Sequence, residues 1–237
     1  MNIVKVKYNG GCLGRNLGCE RAPDKLVISG GDLFVDNCNV DKTMRVLENA
    51  DGNIFLGGDH SITYGLFKGF AKKFTNAGLL VFDAHPDCYP EDFVNHENWV
   101  YHLIKEGILK KENIVFVGLR AIDKEEEKFL NDKKIKCFYM DQFFNSEEEV
   151  CDSIMEIARD FGSVYLSIDI DVLDPAFAPG TGYLEPGGMS TLQLFYFLKR
   201  MRNLRNLKRV DLVEINPNKD NNDVTVKIGK KIIEIFT

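Results

Sequence analysis

The chain has 237 residues, with 30 Lys and Arg against 36 Asp and Glu, and a net charge of −6 when histidine is neutral. That balance excludes a basic nucleic-acid clamp, while 44% hydrophobic and 28% charged residues fit a globular protein with a sizeable core. No segment reaches the roughly 18 consecutive apolar residues of a membrane helix, and Met1 to Lys7 lacks the apolar stretch of a secretory signal, so a cytoplasmic location is expected.

In chain order, a first strand ends in the glycine turn Asn9 to Gly14. Short apolar runs of the kind buried on both faces of a sheet follow at Ile54 to Leu56, Leu79 to Phe82, Ile114 to Val117, Val164 to Leu166 and Val210 to Val213. Helical stretches alternate with them at Asp41 to Asn49, Ser61 to Phe74, Asp123 to Lys133, Ser146 to Ala158 and Ser190 to Met201. Ser146 and Glu149 stand in capping-box register, and Leu192, Leu194, Phe195 and Leu198 share one face of the last helix. The alternation predicts an α/β fold, a mostly parallel doubly wound sheet between two helical layers, formed by residues 1–237 as a single domain. The charged run Asp123 to Lys128 reads as a solvated helix face.

In open parallel sheets ligands bind beyond the carboxyl ends of the strands. Three of the runs end in Gly57-Gly58-Asp59-His60-Ser61, Asp83-Ala84-His85-Pro86-Asp87 and Asp169-Ile170-Asp171. Side chains two apart in an extended segment share a face, so Asp83, His85 and Asp87 converge, as do Asp169 and Asp171, with His60 arriving from a third strand. Six such groups held together resist ionisation unless cations neutralise them. Oxygen and imidazole ligands without thiolate suit manganese, magnesium or non-haem iron, and six ligands suit two ions sharing carboxylates. Asp59 either orients His60 or caps the helix near Ser61. His102 reads as structural or surface.

These residues resemble those of the ureohydrolase family, which includes arginase, agmatinase and related guanidino-group hydrolases. The resemblance rests on the first two motifs, on the long stretch Ser167 to Gly182, on Glu214-Ile215-Asn216-Pro217 and on Gly18 to Leu26. It implies two Mn²⁺ ions per subunit, one held by His60 and Asp87, the other by His85 and Asp171, with Asp83 and Asp169 bridging. It implies an arginase-like three-layer fold and a homo-oligomer, a trimer or hexamer.

By the same resemblance Glu214 grips the guanidinium, Asp87 is both ligand and catalytic residue, and Tyr89 and Thr181 contact substrate. His96, nine residues after Asp87, stands where the family has its proton-delivering loop histidine, although Glu97 follows it where glycine is typical. Tyr89 resembles the agmatinase pattern more than the arginase one, which favours agmatine as substrate, cleaved to putrescine and urea. Arginine or another guanidino acid is the alternative.

A two-metal phosphoesterase is a rival reading, for which Arg120 is the best basic residue near the ligand motifs. A metal-binding scaffold without turnover is another, and the glycine turn at Asn9 to Gly14 lacks full dinucleotide-binding spacing. The six cysteines, at positions 12, 19, 38, 88, 137 and 151, have no C-x-x-C spacing and read as reduced and mostly buried; Cys88, beside a ligand, is a possible oxidation point.

Overall fold

The computed structural model describes residues 2–27 and 29–237, with the backbone alone at 144 and 145. Its strands are β1 (Ile3–Val6), β2 (Gly31–Leu33), β3 (Ile54–Leu56), β4 (Ala77–Phe82), β5 (Ile114–Leu119), β6 (Lys136–Tyr139), β7 (Ser163–Asp169) and β8 (Leu207–Val213). They form one sheet in the order β2-β1-β3-β8-β7-β4-β5-β6, and every pairing is parallel. The helices are α1 (Ala22–Leu26), α2 (Val40–Glu48), α3 (Ile62–Lys73), α4 (Trp99–Lys105), α5 (Lys124–Lys133), α6 (Phe143–Arg159), α7 (Thr191–Met201) and α8 (Val224–Phe236).

The layering follows from the strand period of two. Ile54, Leu56, Leu80, Phe82, Leu166 and Ile168 face one way and pack against α1, α6, α7 and α8. Phe55, Leu79, Val81 and Tyr165 face the other way, against α2, α3, α4 and α5. Both faces are therefore dry, which is why the central strands read as unbroken apolar runs. The predicted three-layer α/β fold is the observed one.

The expected runs are cores of longer strands. β2 and β6 carry no such run because they are the two edges of the sheet, where half-exposed strands tolerate Asp32 and Lys136. α8 was not anticipated either. α6 joins two helical segments across a kink at Ser146, whose backbone is non-helical (φ −158°, ψ 52°), so the longer segment starts where a helix is expected to begin, at Ser146, and a short turn from Phe143 precedes it. Among the described residues no helix is long and apolar enough to cross a membrane.

Candidate metal centre and catalytic pocket

The central strands β3, β8, β7 and β4 end side by side, and each delivers functional side chains just past its last residue. β3 leads into a turn where Gly58 lies under the Tyr8 carbonyl; a Cβ there would fall 1.8 Å from the Tyr8 oxygen, so the approach requires glycine. The turn ends at His60, whose main-chain amide donates to Glu214 Oε1 at 2.7 Å. The segments after β4 and β8 pass through left-handed backbone at Asp87 (φ 47°) and Glu214 (φ 64°). Such conformations are uncommon for residues other than glycine and persist where the surroundings hold them.

The six expected ligand residues converge. Around His60 Nδ1 stand Asp83 Oδ2 at 3.0 Å, Asp87 Oδ2 at 3.0 Å and Asp169 Oδ2 at 3.2 Å. Around His85 Nδ1 stand Asp171 Oδ2 at 3.1 Å and Asp83 Oδ1 at 3.5 Å. These make two donor groups, His60 with Asp83 and Asp169, and Asp83 with His85 and Asp171, so Asp83 belongs to both. Asp169 enters the first through Oδ2, and its Oδ1 accepts the Asp171 amide at 2.8 Å. His60 Nδ1 and Asp83 Oδ2 are buried without a hydrogen-bond partner among the described residues, although each faces the other. Buried polar atoms are otherwise almost always satisfied, and converging oxygen and imidazole donors are what a hard or borderline divalent cation takes up. The residues fit a pair of cations.

Electrostatics point the same way. Burial, helped by the Asp171 and Asp87 charges, pushes the Asp83 carboxyl up to about 6, and burial with Asp171 and Asp83 pushes Asp169 well above the carboxylate range. Burial opposes charge on the two imidazoles, yet Asp169, Asp83 and Asp87 hold His60 well above its ordinary value. Against the same burial, Asp171 and Asp83 raise His85 to about 12. Asp171 is also buried, but His85, the Ala84 amide and Arg120 hold it below the usual range. The cluster draws in positive charge from whatever source supplies it.

Several partners of these residues were not singled out by the sequence. Ser167 Oγ lies 2.8 Å from His60 Nε2 and donates to the wholly buried Asp211 at 2.6 Å, which also accepts from Tyr165 and Thr63. Trp99 Nε1 donates to Asp87 Oδ2 at 2.6 Å, and its rings lie 4.7 Å from His60. Asn16 Nδ2 donates to Glu214 Oε2 at 2.5 Å. Ser167 sits two residues before Asp169 on the same strand face, which is the signal that could have found it; Asn16 arrives from a loop and Trp99 from the first position of α4, and neither leaves a comparable signal.

A cavity of about 390 Å³ opens over the cluster, lined among others by Arg15, Tyr89, His96, Glu97, Thr181, Tyr183, Glu185 and Glu214. All of the expected substrate and catalytic residues therefore meet the same space. His96 Nδ1 lies 3.2 Å from Glu214 Oε1, while His96 Nε2 and Thr181 Oγ1 are buried without partners among the described residues. Burial is outweighed at His96 by the Glu214 charge and hydrogen bond, and its imidazole is raised to about 9. Glu214 is correspondingly held below its usual range, burial being outweighed by His96, Asn16 and the His60 amide.

The structure also corrects or decides the remaining expectations. Asp59 does not touch the His60 ring: its carboxylate accepts from Gly11 N and from Ser61, closing the turn into α3. Glu126 is not part of a solvated face. It is buried, accepting the Cys88 and Asp123 amides in a capping box, and burial pushes its carboxyl up to about 7. Arg120 spends its guanidinium on the carbonyls of Gly118, Asp171, Val172, Leu173 and Glu185, which leaves the phosphate reading without its best cation. Cys88 is buried, and burial pushes its thiol far up, which disfavours the reactive thiolate. His102 is buried against Tyr64 and Tyr101.

The arginase family profile matches residues 31–236. Arginase of Staphylococcus aureus is 33% identical over 207 residues, covering 80% of this chain and 68% of that protein. Agmatinase of Chromobacterium violaceum is 31% identical over 222 residues, covering 88% and 66%. The chain belongs to the arginase family. It spans about two thirds of the length of these curated relatives. Solved structures share the arginase fold: arginase from Bacillus subtilis superposes with a TM-score of 0.87 at 23% identity, covering 100% of this chain and 97% of that one. Proclavaminate amidino hydrolase from Streptomyces clavuligerus gives 0.88 at 23%, covering 99% and 89%. This arginase-family chain is thus a ureohydrolase, an enzyme of the class acting on C–N bonds, with similarity divided between arginases and agmatinases.

Proposed function

We propose that the protein hydrolyses a guanidino compound to urea and an amine at a pair of Mn²⁺ ions, with agmatine as the favoured substrate. The observation that carries this reading is the meeting of His60, Asp83, His85, Asp87, Asp169 and Asp171 under a cavity whose wall includes Glu214. His60 and Asp87 would hold one cation and His85 and Asp171 the other, with Asp83 and Asp169 serving both. Two bound divalent cations supply the Lewis acidity that makes water a nucleophile near neutral pH.

The chain's own residues supply the rest. Glu214 Oε1 already accepts the His60 amide and faces His96, whereas Oε2 accepts only Asn16, so Oε2 retains a lone pair for a guanidinium N–H. A charge-assisted bond there fixes the plane of the guanidinium over the cluster. Thr181 Oγ1, buried and unpartnered, is placed to bond the same group. His96 is suited to protonate the departing amine, since it lines the cavity and Glu214 supports its charged form.

Besides the metal-ligand aspartates and Glu214, the cavity wall carries Glu97, Asp123, Glu126 and Glu185 against Arg15, an excess of acids that favours a cationic substrate tail over a carboxylate alone. Urea release by the Mn²⁺-loaded protein across agmatine, arginine, guanidinobutyrate and guanidinopropionate tests both chemistry and tail preference. Urea from agmatine above the others is the expected result. No urea from any of them, with two cations bound, would turn the reading to a non-catalytic scaffold.

A further inference from the structure

Apart from Glu214 and the ligand aspartates, four acids line the cavity, and two of them are committed to backbone amides. Glu126 is bound to two backbone amides and Asp123 caps α5, while Glu185 has no such bond among the described residues and stands with Oε1 3.9 Å from Nε2 of His85, beside one of the ligand imidazoles. Glu97 is different. Its main chain is fixed on both sides, its carbonyl accepting from Tyr89 N at 3.2 Å and its amide donating to Asn95 Oδ1 at 2.8 Å, while the neighbouring His96 amide donates to Gly11 O at 3.0 Å. Its side chain is 42% exposed, and the residue lines the cavity. Oε1 accepts the Tyr183 hydroxyl, and among the described residues no lysine or arginine pairs with it. The buried, unpartnered His96 Nε2 lies 3.8 Å from the same oxygen, so the carboxylate borders the reaction chamber itself.

A carboxylate held rigidly at a cavity mouth, partly solvated and short of donors, is a receptor for a charged N–H group. Partial exposure keeps its own desolvation modest, and the Tyr183 hydroxyl fixes which lone pairs remain. Tyr183 also stands against both imidazoles, 5.3 Å from the His85 ring and 5.9 Å from the stacked His96 ring, so it ties the mouth to the centre.

We propose that Glu97, oriented by Tyr183, is the specificity-determining residue that binds an ammonium group at the far end of the substrate from its guanidinium. This rests on the reading of the site as a guanidino-group hydrolase. The ammonium can belong to a simple amine or to an α-amino acid, and in the second case the exposed Arg15 on the same wall would meet the carboxylate.

The test compares the Mn²⁺-loaded protein with Glu97→Gln, which keeps an acceptor for Tyr183 and removes the charge. Urea release is measured on agmatine, arginine, guanidinobutyrate and the neutral-tailed butylguanidine. The ratio of kcat/KM for the preferred ammonium-bearing substrate over butylguanidine should fall about 10- to 100-fold, through KM. An equal loss on all four compounds would overturn the proposal, because Glu97 would then serve the chemistry or the fold. Whether agmatine or arginine shows the loss distinguishes the two sources of the ammonium. Calorimetric binding of 1,4-diaminobutane and of ornithine gives a readout independent of turnover, expected to weaken about tenfold for one of them in Glu97→Gln. If the parent protein releases no urea from any compound, the hydrolase reading fails, and the binding comparison still decides for or against an ammonium site.

Discussion

His60 Nε2 and Ser167 Oγ lie 2.8 Å apart in the wholly buried floor of the site. Because Ser167 gives its own proton to Asp211 at 2.6 Å, its oxygen is free to accept, and the hydrogen of His60 is placed on Nε2. That leaves the Nδ1 lone pair facing Asp83, Asp87 and Asp169, the tautomer a cation requires. Ser167→Ala removes the orienting acceptor while Asp211 keeps Tyr165 and Thr63. Mn²⁺ affinity in an equilibrium titration should drop about 10- to 100-fold with the fold intact; unchanged affinity would show that ring packing alone sets the tautomer.

Asp171 accepts the Ala84 amide through Oδ1 and faces His85 through Oδ2. Asp171→Asn preserves the first contact and removes the charge, so the folded protein should bind one cation in place of two and lose at least about 1,000-fold in turnover, the scale of removing a catalytic group whole. Elemental analysis after dialysis measures the first effect and urea release the second. Two retained cations with near-normal turnover would refute the assignment of Asp171.

His96→Asn should lower kcat about 100-fold or more while leaving cation content and thermal stability near those of the parent, as expected for loss of a proton donor. A rise in KM alone would instead make His96 a binding residue, through its contact with Glu214.

Glu126 supplies a prediction away from the cations. Burial raises its folded-state value from 4.5 to about 7, so between those values the folded chain binds the proton that the unfolded chain releases. Stability tied to this group is therefore fully present below the unfolded value and is lost as pH rises toward 7, by about 3 kcal/mol in all. Urea unfolding of the parent and of Glu126→Gln at pH 5 and pH 8 isolates it: the parent should lose most of that, about 2.5 kcal/mol, relative to the variant over the interval. A difference that does not change with pH would mean the capping amides keep Glu126 ionised.

The sequence by itself determined the layered fold and the six-residue cluster, and the reason is local. Buried parallel strands must be apolar runs, the strand period puts Asp83 with His85 and Asp169 with Asp171 on common faces, and functional groups collect just past strand ends. Tertiary structure decided everything that depends on segments far apart in the chain. Thr63 and Asp211, 148 positions apart, meet in one hydrogen bond, and Asn16 reaches Glu214 across 198. Glu126, written as one charge in a charged run, is buried because the first turn of α5 docks against the Cys88 amide. Asp59, adjacent to a ligand in sequence, points away from it, since successive side chains in a turn diverge while the Gly11 and Ser61 donors lie on its other side. Spacing fixes which side chains share a face; only the packed chain fixes which face a buried carboxylate must turn to find its hydrogen-bond donors.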